Sequence, residues 1–113
     1  MKIAIVGSRN LTLDVAPFLE GESVSEIVSG GARGIDKCAE AYAEKMGIEI
    51  RVFPPRYDLY GKAAPLKRNE EIVEYADKVY IFWDGSSRGS AFVRDACIKA
   101  GKPYVLIVTT PEA

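Results

Sequence analysis

Five short apolar segments, each rich in Ile, Val and aromatic residues, alternate along the chain with segments of helical apolar spacing. The five segments are residues 2–6, 26–29, 49–53, 79–83 and 104–108. Near-continuous runs such as IAIV, VYIFW and YVLIV are typical of strands covered on both faces, whereas half-exposed strands alternate apolar and polar residues. The pattern therefore predicts a parallel β-sheet between two layers of helices.

Three of the intervening segments repeat apolar residues every three or four positions, which predicts amphipathic helices. Their apolar faces consist of Ile35, Cys38, Ala39, Tyr42 and Met46 in one helix, Leu66, Ile72, Val73 and Ala76 in the next, and Val93, Ala96, Cys97 and Ala100 in the last. Glycine follows the first and the last of these faces, as it often does at helix C-termini. Residues 13–20 predict only a short or kinked helix, because Pro17 lies inside the segment.

Strands that alternate with helices imply right-handed crossovers and a doubly wound sheet. We predict a single α/β domain over residues 1–113, with an all-parallel five-stranded sheet in the order 3-2-1-4-5 and helices on both faces. The one long connection, residues 54–64, is of a length that is often functional. Its Tyr57 and Tyr60 either stack on a base or cover the edge of the core.

Composition excludes several classes of protein. The 15 basic and 16 acidic residues nearly cancel, so no global field attracts nucleic acid or an anionic membrane. The absence of histidine removes Ser–His and Cys–His pairs and most zinc sites, and we predict no metal site. Two lone thiols, Cys38 and Cys97, indicate a reducing compartment. With no signal-peptide core and no membrane-length apolar run, we expect a cytoplasmic protein without a membrane partner.

The candidate binding site lies in the turns after strands one, two and four, because ligands of such sheets bind where the strand order reverses. Every one of these turns contains glycine, serine and arginine. The candidate residues are Gly7, Ser8 and Arg9 in the first turn, Ser29, Gly30, Gly31, Arg33 and Gly34 in the second, and Asp84, Gly85, Ser87, Arg88, Gly89 and Ser90 in the third.

These residue types together suit a phosphate group. Glycine allows close backbone approach, helix N-termini present N–H groups to an anion, and the guanidinium fork matches phosphate oxygens. We predict a nucleotide-type phosphate ligand with Arg9, Arg33 and Arg88 as anion contacts, seated against the helix start at residues 30–34. The alternative is that the glycines make tight turns and the arginines are solvated. GGARGID matches neither the strict dinucleotide fingerprint nor a P-loop.

Four further residues near the same edge have two interpretations each. Asp36 either caps the second helix or contacts the ligand, and Asp84 holds a ribose hydroxyl, binds an arginine or stabilises its turn. Arg68 and Asn69 reach either the ligand or neighbouring carbonyl groups. The sequence identifies no catalytic residue.

The ordered motifs GSRN, VSGGARGID, YGKAAPLKRN and YADKVYIFWDGSSRGS resemble those of the SLOG superfamily, in particular its small stand-alone members related to YspA and YpsA. The resemblance covers nearly the whole chain. It implies a Rossmann-like fold that binds a nucleotide or a NAD-derived ligand, and by family analogy it makes a homodimer a candidate assembly. The superfamily also includes the DNA-processing protein A family and the Lonely Guy phosphoribohydrolases.

The Lonely Guy signature is a Pro-Gly-Gly turn, then Gly-Thr and a glutamate three residues after the threonine. Here Gly89 and Ser90 stand at Gly-Thr, Val93 stands at the glutamate, and Asp84-Gly85 replaces Pro-Gly. Since cleavage of a glycosidic bond needs an acid or base, we expect no phosphoribohydrolase activity.

Three hypotheses remain open, of which a binding or sensing module for a nucleotide-derived ligand is the leading one. A hydrolase of nucleotide N-glycosidic or phosphate bonds would need Asp36, Asp84 or Glu70 as its acid or base. A single-stranded nucleic-acid binder would use the same edge as a basic groove, but the net charge of −1 weighs against it.

Overall fold

Strands and helices alternate through the computed structural model of the protein, which describes residues 1–110. The strands are β1 (Lys2–Gly7), β2 (Glu26–Ser29), β3 (Glu49–Val52), β4 (Lys78–Trp83) and β5 (Tyr104–Val108). The helices are α1 (Ile35–Met46), α2 (Tyr57–Tyr60), α3 (Ala64–Tyr75) and α4 (Arg88–Ala100), with 3₁₀ turns at Ala16–Leu19 and Gly61–Ala63. All five predicted strands are present, each within one residue of its predicted ends.

The five strands are parallel and follow the order β3-β2-β1-β4-β5, which confirms the predicted sheet. β1 is central and pairs with two strands, so that Ile3 lies beside Ile27 of β2 and Val6 lies beside Ile81 of β4. The chain therefore leaves β1 toward one edge of the sheet and later returns to its other side. This reversal at β1 and β4 is the point where doubly wound sheets form their ligand crevice.

The core consists of two buried clusters, one on each face of the sheet. Ile3 and Ile5 face α1 and the 3₁₀ turn Ala16–Leu19, where they pack with Ile35. Ala4 faces α3 and α4, where it packs with Val93. Successive residues of a strand point to opposite faces, so one apolar run fills both clusters. The structure thus confirms that helices cover both faces of a central parallel sheet.

The two edge strands correct one expectation. YVLIV predicts a strand covered on both faces, but β5 lies at the sheet edge, its central residues are half-buried and Val108 is 61% exposed. All four residues of β3, at the other edge, are exposed. Position within the sheet, rather than apolar content, decides how far a strand is covered. Three residues predicted on buried helical faces, Met46, Leu66 and Ala100, are also exposed.

Two segments are less regular than the main strands and helices. Pro17 restricts the predicted helix at residues 13–20 to the 3₁₀ turn Ala16–Leu19. The connection at residues 54–64 contains the short helix α2, in which Tyr57 and Tyr60 are exposed and do not cover the core. Within residues 1–110, the helices are too short or too polar to cross a membrane.

Candidate functional site

The turns after β1, β2 and β4 meet at a single cavity of about 730 Å³, here termed the turn cavity. Eleven of the predicted site residues line it: Gly7, Ser8, Arg9, Arg33, Asp36, Arg68, Asn69, Asp84, Ser87, Gly89 and Ser90. The wall also contains six residues outside the predicted set, namely Val6, Asn10, Ala32, Pro65, Leu66 and Val93. Pro65 and Leu66 belong to the same YGKAAPLKRN motif as Arg68, so their position in the sequence could have indicated that they line the cavity.

The other predicted residues lie around the turn cavity rather than in its wall. Gly30 and Gly31 line a neighbouring hollow of about 270 Å³. Ser29 is fully buried at the end of β2, and Gly34 precedes the first residue of α1. Gly85 and Arg88 are exposed. Of the three predicted anion contacts, the structure therefore brings Arg9 and Arg33 into one wall and leaves Arg88 outside it.

Two glycines allow the turns after β1 and β2 to lie against each other. A Cβ atom on Gly7 would lie 2.7 Å from the Cβ atom of Ile35 at the start of α1, and one on Gly34 would lie 2.5 Å from the carbonyl oxygen of Arg9. Gly34 also has φ of +77°, a conformation that L residues rarely adopt. Any side chain at either position would push the turns apart and open the site.

Serine hydroxyls join the turn after β1 to the turn after β4. The Oγ atoms of Ser8 and Ser87 lie 2.8 Å apart, and the backbone N–H of Asp84 donates to Ser8 Oγ at 3.1 Å. Asp84 Oδ1 accepts hydrogen bonds from the N–H groups of Ser86 and Ser87, at 2.9 and 2.8 Å. These backbone bonds hold the pKa of Asp84 below its usual value. Asp84 is thus an ionised carboxylate that stabilises its turn while lining the turn cavity.

Arg68 lies beneath the site and is only 7% exposed. Its Nε donates to Asn69 Oδ1 at 2.8 Å, and its Nη1 donates to the carbonyl oxygens of Gly30 and Phe53 at 2.5 and 3.3 Å. Arg68 thus bonds to neighbouring carbonyl groups, as one of its two interpretations predicts. Arg68 joins α3 to the segments that follow β2 and β3, and its remaining surface contributes to the wall.

Asp36 is a buried carboxyl group in the first turn of α1. Its Oδ2 accepts a hydrogen bond from the Ala32 N–H at 3.1 Å, so it braces the turn before the helix. Burial raises the pKa of Asp36 to about 6, against the opposing effects of the Ala32 N–H and the Arg68 charge. The site therefore contains one carboxyl group that exchanges a proton near neutral pH and one, on Asp84, that stays ionised.

Two helix N-termini face the turn cavity without side-chain caps. The N-cap residues, Gly34 for α1 and Ser87 for α4, make no capping side-chain hydrogen bond. N–H groups in the first turn of an uncapped helix attract an anion. Burial lowers the pKa of Arg68, and the positive charge of nearby Arg9 lowers it further. An anion beside Arg9 would relieve this repulsion between two guanidinium groups.

The structure separates other candidate residues from the turn cavity. Glu70 is exposed and lines a groove between α3 and α4. Val93 does lie in the cavity wall, where it contributes a buried methyl surface instead of a carboxylate. Among residues 1–110 there is no cluster of three or more His, Cys, Asp or Glu side chains that could hold a metal ion.

No protein-family model matches the chain, and no curated protein matches it either. The chemistry of the turn cavity therefore carries the functional proposal.

Proposed function

We propose that the protein is a binding or sensing module for a nucleotide or a nucleotide-derived phosphate ligand, which occupies the turn cavity. The observation that carries this proposal is that two exposed arginines, Arg9 and Arg33, and two uncapped helix N-termini meet at one cavity. Its volume of about 730 Å³ suits a nucleotide, since small-molecule sites span roughly 300–1,000 Å³. Membership of the SLOG superfamily is part of the same proposal.

The cavity offers different chemistry to each part of such a ligand. Arg9 and Arg33 supply charge for the phosphate oxygens. The carboxylate of Asp84 supplies an acceptor for ribose hydroxyls, and the apolar surface of Leu66 and Val93 suits a base or the ribose carbons. A phosphate alone would leave most of this wall without contact.

Ligand binding is tested by the melting temperature of the protein against a panel of nucleoside mono- and diphosphates, NAD and ADP-ribose, with inorganic phosphate as the minimal probe. A ligand at about 100 times its Kd adds roughly 2.7 kcal/mol to the free energy of unfolding, which shifts the melting temperature of a domain this size by several degrees. We expect at least one nucleotide to do so and to bind in calorimetry. A panel without any shift or heat overturns the proposal.

A hydrolase acting on a nucleotide N-glycosidic or phosphate bond is the second candidate function. Asp36 favours it, because this carboxyl group lines the turn cavity and its pKa of about 6 suits a general acid. Val93, at the position of the Lonely Guy glutamate, supplies no carboxylate. We expect no release of base from nucleoside monophosphates, and turnover that disappears in Asp36→Asn would establish the hydrolase instead.

Three further expectations belong to this proposal. Single-stranded nucleic-acid binding would appear as a salt-dependent gel shift, which the net charge of −1 disfavours. The homodimer rests on family analogy and is tested by sedimentation. A cytoplasmic location agrees with two cysteines, Cys38 and Cys97, that are both free thiols.

A further inference from the structure

A smaller hollow of about 270 Å³, here termed the arginine hollow, opens beside the turn cavity. It shares Arg9, Ala32, Arg33 and Arg68 with the turn cavity, and the rest of its wall is Gly30, Gly31 and Pro55. The volume is several times the ~30 Å³ that one water molecule occupies in the liquid. The arginine hollow is therefore large enough for a phosphate group, and its arginine wall is continuous with that of the turn cavity.

The charge of the arginine hollow is more positive than that of the turn cavity. Its wall contains three arginines and no acidic side chain, whereas the wall of the turn cavity also contains Asp36 and Asp84. The N–H groups of Gly31 and Ala32 already donate to Ser29 Oγ and Asp36 Oδ2. The arginine side chains, rather than free backbone groups, thus make this hollow attractive to an anion.

Glycine at position 30 keeps the arginine hollow in this arrangement. A Cβ atom there would lie 2.6 Å from Arg68 Nη1 and 2.9 Å from Asp36 Oδ2. Arg68 is occupied by the carbonyl oxygens of Gly30 and Phe53, which leaves Arg9 and Arg33 as the exposed cations between the two spaces. An anionic group that spans the turn cavity and the arginine hollow would contact the guanidinium groups of both Arg9 and Arg33.

We propose that the arginine hollow is a subsite for a second phosphate group, so that the ligand carries two linked phosphates. The nucleoside lies in the turn cavity, the first phosphate lies against the shared wall of Arg9 and Arg33, and the second phosphate enters the hollow. The ligand class is a nucleoside diphosphate or a pyrophosphate-bridged dinucleotide. This inference rests on the proposed function and adds the number of phosphates and their positions.

Titration calorimetry of ADP against AMP tests the subsite in the intact protein. We expect ADP to bind about tenfold or more tightly than AMP, because the second phosphate gains charge-assisted hydrogen bonds. ADP-ribose and NAD distinguish the two ligand sources, since a pyrophosphate-bridged ligand predicts tighter binding of these compounds than of ADP. If the protein binds AMP and ADP with equal affinity, the subsite is overturned and the proposed function remains intact. Absence of all nucleotide binding would defeat both.

Two adjacent prolines provide a matched pair of variants. Pro55 lines the arginine hollow, whereas Pro54 is exposed and lies outside its wall. Pro55→Glu places a negative charge in the hollow, and we expect it to lower ADP affinity to the AMP level with little effect on AMP. Pro54→Glu should leave the ADP preference unchanged, and Pro55→Gln separates the added charge from the loss of proline. An equal loss of preference in both glutamate variants would contradict the subsite.

Discussion

The Nη1 atom of Arg68 donates a hydrogen bond to the carbonyl oxygen of Gly30 at 2.5 Å, across 38 positions of sequence. Arg68 lines both the turn cavity and the arginine hollow, and Gly30 lines the hollow. The bond therefore connects α3 to the turn after β2 directly beneath the proposed ligand. Asp36 lines the turn cavity together with Arg68, and its negative charge favours the charged form of the Arg68 guanidinium.

Gly30→Ala should destabilise the fold by about 1 to 3 kcal/mol, the usual cost of an overpacked buried position. The new methyl group would lie 2.6 Å from Arg68 Nη1 and would displace the guanidinium from the Gly30 carbonyl. Urea denaturation measures the change. Gly89→Ala is the control, because nothing lies within 4 Å of a Cβ atom there and Gly89 lies in α4, so the free energy of unfolding should stay unchanged or rise by up to about 1 kcal/mol. Equal effects of the two substitutions would show that the contact at Gly30 relaxes freely.

Arg68→Gln should cost about 3 kcal/mol of stability, because it removes a buried guanidinium that donates hydrogen bonds and leaves Asp36 without its cationic neighbour. The carbonyl oxygens of Gly30 and Phe53 also lose their donor. The matched variant Arg56→Gln removes an exposed arginine that pairs with Asp58, and should change stability by about 0.5 kcal/mol or less. A loss at Arg68 no larger than at Arg56 would mean that this buried network adds little to the fold.

Asp36→Asn should flatten the pH dependence of stability between about pH 4 and 6.5. The pKa of Asp36 rises from 3.8 in the unfolded chain to about 6 in the fold, so the folded state binds the extra proton. The contribution of protonated Asp36 to the free energy of unfolding is therefore fully present below pH 4. This contribution, about 3 kcal/mol in total, is lost as pH rises through 6. Arg68 opposes this shift and Glu40 adds to it.

Denaturation of the wild type and Asp36→Asn across this pH range measures that effect as a difference, which cancels the contributions of the other carboxylates. Asp95→Asn, at an exposed carboxylate, controls for the loss of one charge. A wild-type minus Asp36→Asn difference that stays constant with pH would show that folding does not raise the pKa of Asp36.

Replacement of Arg9 and Arg33 together by glutamine should abolish the nucleotide-induced shift in melting temperature. Each charge-assisted bond to phosphate contributes about 1.5 to 3 kcal/mol, so the loss of both should weaken binding more than a hundredfold. Arg88→Gln should weaken it far less, because Arg88 lies outside the cavity wall. Lys45→Gln with Lys99→Gln reproduces the same loss of charge at exposed positions near the C-termini of α1 and α4. A retained shift in the Arg9 and Arg33 variant would place the ligand elsewhere.

The strands and the three long helices were predictable from the sequence because their signals are local. The order of the sheet followed from the general topology of doubly wound sheets. Apolar runs such as VYIFW identify β4 without reference to the rest of the chain. The handedness of parallel crossovers then restricts how the strands connect. The meeting of the three turns followed as well, since the carboxyl ends of parallel strands lie at one edge of the sheet.

The role of each arginine was not predictable, because it depends on segments far away in the chain. Arg68 points inward because the carbonyl oxygens of Gly30 and Phe53 accept hydrogen bonds from its guanidinium group. Arg88, in contrast, is exposed and is the first residue of α4. No local pattern of apolar or polar residues separates the two environments.

The sequence by itself determined the periodicity of the elements, because periodicity depends on neighbours a few positions apart. The parallel sheet and the residue types gathered at its edge followed from the alternation of strands and helices, which restricts how the strands can connect. Only the tertiary structure decided that residues of the edge strands β3 and β5 are exposed, that Asp36 is buried deeply enough to raise its pKa, and that Pro55 lines a hollow beside Arg33. Burial and electric field at a residue are sums over every segment packed around it, and packing brings together residues that are distant in sequence.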